Sequence, residues 1–319
     1  MMGVLYNENA WGGTELFARL LVDNLPSNLL EKVQIICDRV CVLDENKYNI
    51  LYLNNTPEQL LDNDKNLAHN GWKQFDKIVF VSYWQMEEYV RTYNIPYSYC
   101  TVIPLSTNPL PLRVKDRDEI VLVYHPTPHR GLDILVNVFE KLCKEFSNLK
   151  LKVFSSYTIY GELEAQREYQ KSDLYRRLEE HPNIDNIGYV SHEEVKKHLS
   201  TSHIFAYPST WRECGCTSIV EAMSAKNICV HSSYGPLPEI SGGYTLMYDF
   251  TEDLKEHERR CYNMLRLAIK SLGEENINQR LDLQKKYVDM CYNNEVTLTK
   301  FKNLIQSFSL KKRSNLLYI

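Results

Sequence analysis

No apolar run in the 319-residue chain approaches the roughly 18–20 residues needed to span a bilayer. Its first residues also lack the charged-then-apolar layout of a secretory signal. Both absences predict a cytoplasmic protein, with peripheral membrane contact still open. Basic charge is scarce too: 37 Lys and Arg against 41 Asp and Glu give a formal net charge of −4. A sequence-independent nucleic-acid binder needs a basic face, so no nucleic-acid partner is expected. The short cluster Lys311-Lys312-Arg313 reads as a solvated terminus. Nine cysteines, an odd number without framework-like spacing, fit buried thiols in a reducing compartment. Cys214 and Cys216 have no second ligand pair at zinc-site spacing, so no metal is expected. No glycine-rich fingerprint follows a first strand, which weighs against a dinucleotide oxidoreductase. There is no internal repeat and no low-complexity tract.

What is present is ordinary globular material, 44% hydrophobic and 24% charged, at a length that favours two domains. Short β-branched runs at 33–38, 49–53, 77–82 and 100–105 alternate with helical patterns at 13–25 and 83–94. Ser82 with Gln85 forms a capping box for the second of these helices. A proline-rich, charged stretch at 106–119 then reads as a linker. A second alternating series follows, with strands at 119–125, 149–156, 184–188, 203–209 and 227–232. Helices fall between them at 131–146, 163–180, 192–200 and 216–225, and further helical patterns cover 254–272 and 277–307. Such alternation specifies an α/β protein of two doubly wound, Rossmann-like domains facing a cleft. The expected division is 1–108 as a small first domain, 119–275 as a second Rossmann-like domain, and a terminal helix at 277–307 packing back on the first.

Chemistry concentrates where strands end, above all in "PSTWRECGCTSIVEAMSAKNICVHSS", residues 208–233, where seven residues separate Glu213 from Glu221. Gly215 stands at the expected mouth of the next helix. A helix start there offers free N–H groups and partial positive charge to a phosphate, and a glycine lets it approach. Glu221 lies five or six residues further in, roughly 8 Å along the helix, about the reach from a diphosphate to its ribose hydroxyls. Carboxylates accept hydroxyl hydrogen bonds, so Glu213 and Glu221 could bracket a nucleotide sugar. On spacing alone, a helix-start glutamate and a surface glutamate fit equally well.

The order of motifs decides between them. Besides Glu213 and Glu221 followed by Ala222-Met223, the chain carries "GGTE" (12–15), "FVSYWQ" (80–85), "VIPLSTNP" (102–109), "HRGLDIL" (129–135), "NIGYVSHEEV" (186–195) and "GPLPEI" (235–240). In these motifs it resembles the retaining GT-B glycosyltransferases, family 4 in particular, over nearly its whole length. The resemblance implies that Glu213 holds donor-sugar hydroxyls, that amides of Cys214, Gly215, Cys216 and Thr217 grip the diphosphate, and that Glu221 holds the ribose. It places Arg130 on the phosphates, with His125 at the other basic position, and Gly12 and Gly13 near the donor phosphate and sugar. Gly188, Tyr189 and Val190 fall on the segment lining the base. Glu213 and Arg130 are the residues expected to carry catalysis.

The sequence also departs from the family. Asn54 and Asn55 stand on the acceptor side where many relatives have a histidine, and an amide cannot take a proton. His125 replaces a permanent cation, which predicts weaker or more pH-dependent phosphate binding. Lys226 stands where a glycine often ends the helix. The resulting expectation is a metal-independent, retaining transfer of a hexose-type sugar from a UDP- or GDP-linked donor to a glycan or glycoconjugate hydroxyl. No cofactor beyond that donor is expected. A non-catalytic nucleotide-sugar binder, favoured by Asn54 and His125, and a nucleotide-sugar epimerase are the alternatives.

Overall fold

A computed structural model describes residues 3–6, 10–38, 42–59, 67–116 and 118–314, with side chains up to residue 308. The chain divides into two compact units. One is Met1–Ser106 with Glu213–Gly215 and Tyr292–Ile319; the other is Thr107–Arg212 with Cys216–Cys291.

In the first unit β1 (Val4–Leu5), α1 (Gly13–Asn24), α2 (Ser27–Leu30), β2 (Val33–Cys37), β3 (Tyr48–Leu53), β4 (Lys77–Phe80), α3 (Tyr83–Tyr93) and β5 (Cys100–Val102) follow one another. The strands form a parallel sheet in order β1-β2-β3-β4-β5. Every residue of β3 from Asn49 to Leu53 is buried, as a central parallel strand covered on both faces requires. Alternate residues serve opposite faces: Ile35, Ile50 and Tyr52 join one core, while Ile36, Leu51 and Leu53 join another. At the start of α3, Ser82 accepts the Gln85 N–H, but the Gln85 side chain does not return to Ser82. It accepts from Val81 N–H and donates to the carbonyls of Leu53 and Asn55. The expected capping box is thus half made, and its glutamine ties the ends of β3 and β4 together instead.

The second unit runs β6 (Ile120–Tyr124), α4 (Leu132–Leu142), β7 (Leu149–Val153), α5 (Leu163–Gln170), α6 (Asp173–Glu180), β8 (Ile184–Asn186), α7 (His192–Thr201), β9 (Ile204–Tyr207), α8 (Thr217–Ser224), β10 (Ile228–Ser232), α9 (Leu237–Ser241), β11 (Leu246–Tyr248), α10 (Leu254–Lys270) and α11 (Glu275–Cys291). Its parallel sheet has the order β11-β10-β9-β6-β7-β8. The single helix expected over 163–180 is two, because Ser172 caps a fresh start by accepting the Tyr175 N–H. Strand β11 and helix α9 add to the elements expected from the sequence. The stretch 106–119, read as a linker, is tied to this unit at two described residues: Leu110 N–H donates to Ser224 and Lys115 to Asn227.

The terminal span 277–307 is also two helices, α11 and α12 (Asn294–Ser314). Asn293 interrupts it by accepting the N–H groups of Glu295 and Val296, an N-cap geometry that starts a new helix. α12 belongs to the first unit, where Phe301 meets Phe17 at 5.4 Å and Phe308 stacks on Tyr48 at 4.7 Å.

His231 on β10 is completely buried with both ring nitrogens bonded. Nδ1 lies 2.9 Å from the Ser232 carbonyl and Nε2 lies 2.7 Å from the Thr245 hydroxyl, an arrangement that a neutral ring satisfies. Burial lowers its pKa to about 4 against a weaker opposing bond to the Ser232 backbone. The unfolded ring titrates near 6.5, so between pH 6.5 and 4 the unfolded chain takes up a proton that the fold refuses. This contribution to stability is therefore complete above about pH 6.5 and falls as the pH drops towards 4. We expect wild type to lose about 2 kcal/mol more than His231→Gln between pH 7.5 and pH 5 in denaturant melts. Parallel losses in the two proteins would show that His231 is not responsible.

Candidate active site

In the second sheet, strands are added outward from β6 towards β8 and from β9 towards β11, so β6 and β9 are neighbours from which the chain departs in opposite directions. Open α/β sheets bind ligands outside the carboxyl ends of the strands at this reversal. The loops after β6 and β9 carry the candidate residues.

After β6 the chain passes His125 and a tight turn, Pro128–Arg130, to Gly131. Gly131 has φ of +104°, and a Cβ there would lie 2.1 Å from the Pro208 carbonyl oxygen. Only glycine fits so close to the chain leaving β9, and the turn holding Arg130 is pinned by this approach. The Arg130 Nη2 donates to the Tyr160 hydroxyl at 3.1 Å, and its guanidinium carbon lies 5.5 Å from the Trp211 ring centroid. Beside it His129 stacks on Tyr157 at 5.6 Å and meets Trp211 edge-on at 4.8 Å. His129 and Tyr157 border a cavity of about 670 Å³ whose lining also includes Tyr169, Asp133 and Glu168.

After β9, Cys216 is the N-cap of α8, and no side chain caps the helix. The N–H groups of its first turn, from Thr217 onward, thus carry no side-chain cap, the arrangement in which a helix start can take an anion. Glu221, fifth residue of α8, is buried. His192 Nε2 lies 2.6 Å from Glu221 Oε1, and the Thr107 hydroxyl donates to the same oxygen at 3.2 Å. Oε2 has no partner among the described residues. Burial pushes the Glu221 pKa up, but the charge and hydrogen bond of His192, with His125 nearby, outweigh it and hold the carboxylate below its usual range.

His125 needs correcting. Burial lowers its pKa to about 4 despite the Glu221 charge, so near neutrality it is an uncharged ring, not a partial cation. Its Nε2 and the Thr127 hydroxyl are buried without partners among the described residues, as at a site that a ligand completes. Gly188, at φ +71°, donates its N–H to Val153 O, so Tyr189 and Val190 leave β8 by a turn glycine favours.

The first unit holds the remaining residues. Gly12 is the N-cap of α1, and a Cβ on Gly13 would lie 3.6 Å from Asn54 Nδ2. The Asn55 carbonyl accepts from Gln85 and Tyr89. Glu213 is buried, and the Cys214 carbonyl accepts from Ser82 Oγ at 2.7 Å. A Cβ on Gly215 would fall 2.9 Å from Val81 Cγ2 and 3.0 Å from Leu105 Cδ1, so this glycine serves close packing, not the phosphate approach foreseen for it. Lys226 does take the left-handed conformation, at φ +56°, that a glycine would adopt freely. His192 and Thr107 were missed as site residues, although His192 lies inside the motif at 186–195 and Thr107 inside the motif at 102–109.

The model of the glycosyl transferases group 1 family matches residues 106–252, the stretch that carries this constellation. That match covers a little under half of the chain. The chain is similar to a subunit of human phosphatidylinositol N-acetylglucosaminyltransferase, at 27% identity over 168 residues, 51% of this chain and 33% of the human protein. It thus aligns with about a third of that relative's length. Among solved structures, a glycosyltransferase from Rickettsia africae superposes with a TM-score of 0.68 at 15% identity, over 95% of this chain and 83% of that one. Anabaena HepE in complex with UDP-glucose superposes with a TM-score of 0.64 at 13% identity, over 82% and 72%. These likenesses establish a GT-B fold.

Proposed function

We propose that the protein is a retaining glycosyltransferase that moves a hexose-type sugar from a UDP-linked donor to a hydroxyl of a glycan or glycoconjugate. The observation that carries this is the uncapped start of α8 with buried, ionised Glu221 five residues in, at the strand reversal within the stretch that the group 1 model matches. On this reading the diphosphate sits on the N–H groups of Cys216 and Thr217, the ribose on Glu221, and the base along Gly188–Val190. Glu213 takes sugar hydroxyls. His125 acts as a neutral hydrogen-bonding ring, leaving Arg130 and the helix start to stabilise the departing phosphate. The C1–O bond to the diphosphate breaks, the acceptor oxygen bonds C1 from the same face, and its proton passes to the leaving phosphate. No metal and no protein base take part.

N-acetylglucosamine is the first sugar to test, because the human relative's name specifies it and UDP-glucose occupies a neighbour of the same fold. Phosphatidylinositol, also in that name, is a second acceptor class, one met by peripheral membrane contact from the cytoplasmic side. A thermal-shift panel of UDP, GDP and their sugars, followed by detection of released UDP and a glycosylated product, tests this. UDP at 100 times its Kd should stabilise the fold by about 2.7 kcal/mol. A panel without any shift contradicts the reading, and binding without turnover favours the non-catalytic alternative.

A further inference from the structure

At the carboxyl ends of β2 and β3 in the first unit lies a polar chain that the proposed reaction does not use. Asp38, just after β2, is buried and adopts the left-handed conformation at φ +60°. Its Oδ1 accepts the Asn54 backbone N–H at 2.7 Å, and its Oδ2 accepts the Thr14 hydroxyl at 3.1 Å. The Thr14 oxygen in turn accepts from Asn54 Nδ2 at 2.8 Å. Thr14 and Asn54 are half-buried, so the carboxylate stands behind two side chains that a substrate can reach.

The direction of these bonds follows from Asp38. An ionised carboxylate only accepts, so the Thr14 hydroxyl must donate to it, and the Thr14 oxygen is then left to accept. That turns the Asn54 NH₂ inward and Oδ1 outward, and Oδ1 has no partner among the described residues. We propose that ionised Asp38 is a positioning residue that, through Thr14, fixes Asn54 Oδ1 as an acceptor for a substrate hydroxyl beside the glycine loop. Protonated Asp38 can donate to Thr14, the hydroxyl can reverse, and the Asn54 amide is free to turn its NH₂ outward.

Burial raises the Asp38 pKa to about 6, with Glu15 adding to it and the bonds from Asn54, Thr14 and Asn55 opposing it. The other titratable groups facing it are Cys37 and Tyr52, and burial raises both of their pKa values. Both are therefore neutral over the range in which Asp38 changes charge. A carboxylate kept at this cost, on a left-handed backbone at strand ends, fits a functional position better than a structural one.

The inference rests on the transferase reading, so its test has one arm with substrate and one without. With UDP-N-acetylglucosamine as donor, wild-type kcat/KM should fall below about pH 6. Asp38→Asn should be about tenfold less active at pH 7.5, the worth of roughly one hydrogen bond, and should lack that acid limb. Thr14→Val should resemble it, whereas UDP affinity should be unchanged in both. In the free protein, the Asn54 side-chain amide resonances should titrate with the Asp38 carboxyl midpoint near 6 and lose that midpoint in Asp38→Asn. If wild type turns over no nucleotide sugar, the transferase reading fails, and the NMR titration still decides the polar chain. Folded Asp38→Asn with wild-type activity and an unchanged acid limb, or Asn54 resonances indifferent to Asp38, would overturn the inference.

Discussion

Glu221→Ala is expected to lower kcat/KM for a nucleotide sugar by roughly 10²–10³-fold, because hydrogen bonds to a buried carboxylate contribute about 1.5–3 kcal/mol each. The loss should also appear as weaker UDP binding, since the ribose hydroxyls belong to UDP itself. His192 and Thr107 both engage Oε1, which leaves Oε2 for the ribose. Truncation also strips these two partners of their acceptor, so folding is checked by melting. Glu221→Gln keeps the shape and one acceptor and should retain more affinity than alanine. Unchanged UDP affinity in a folded Glu221→Ala protein would remove the ribose from this position.

Gly131→Ala should cost the fold roughly 2–5 kcal/mol, since it combines a left-handed backbone penalty with overpacking. Its Cβ would fall 2.1 Å from the Pro208 carbonyl, a backbone atom with no side-chain freedom to yield. Relief requires the 128–130 turn to lift away from the end of β9, and Arg130 moves with it. The expected result is a lower denaturant midpoint together with weaker UDP binding. A Gly131→Ala protein as stable as wild type would show that the turn yields easily and that Arg130 is not held by this contact.

Much of the architecture was legible because parallel strands buried on both faces read as continuous apolar runs, as in "NILYL" and "EIVLVYH". Helix breaks were less so. Ser172 and Asn293 each start a new helix by side-chain capping inside a pattern that is periodic on either side. Short apolar stretches such as β11 carry too few residues to display a period. At the site, Glu221 and Arg130 stood out through the motifs that carry the resemblance, while Thr107 and Asp38 reach their partners Glu221 and Asn54 across separations in sequence that no local pattern reports. His125 looked like a cation substitute by residue type alone; its burial makes it neutral, and burial cannot be read from one position. Gly215 looked like a phosphate-loop glycine, and only the packing of Val81 and Leu105 reveals its use.

The most direct measurement is a crystal structure with UDP bound at neutral pH. Diphosphate oxygens within hydrogen-bond distance of the Cys216 and Thr217 N–H groups, with a ribose hydroxyl on Glu221, are the expected result. UDP bound away from the start of α8, or absent from it at millimolar concentration, would contradict it.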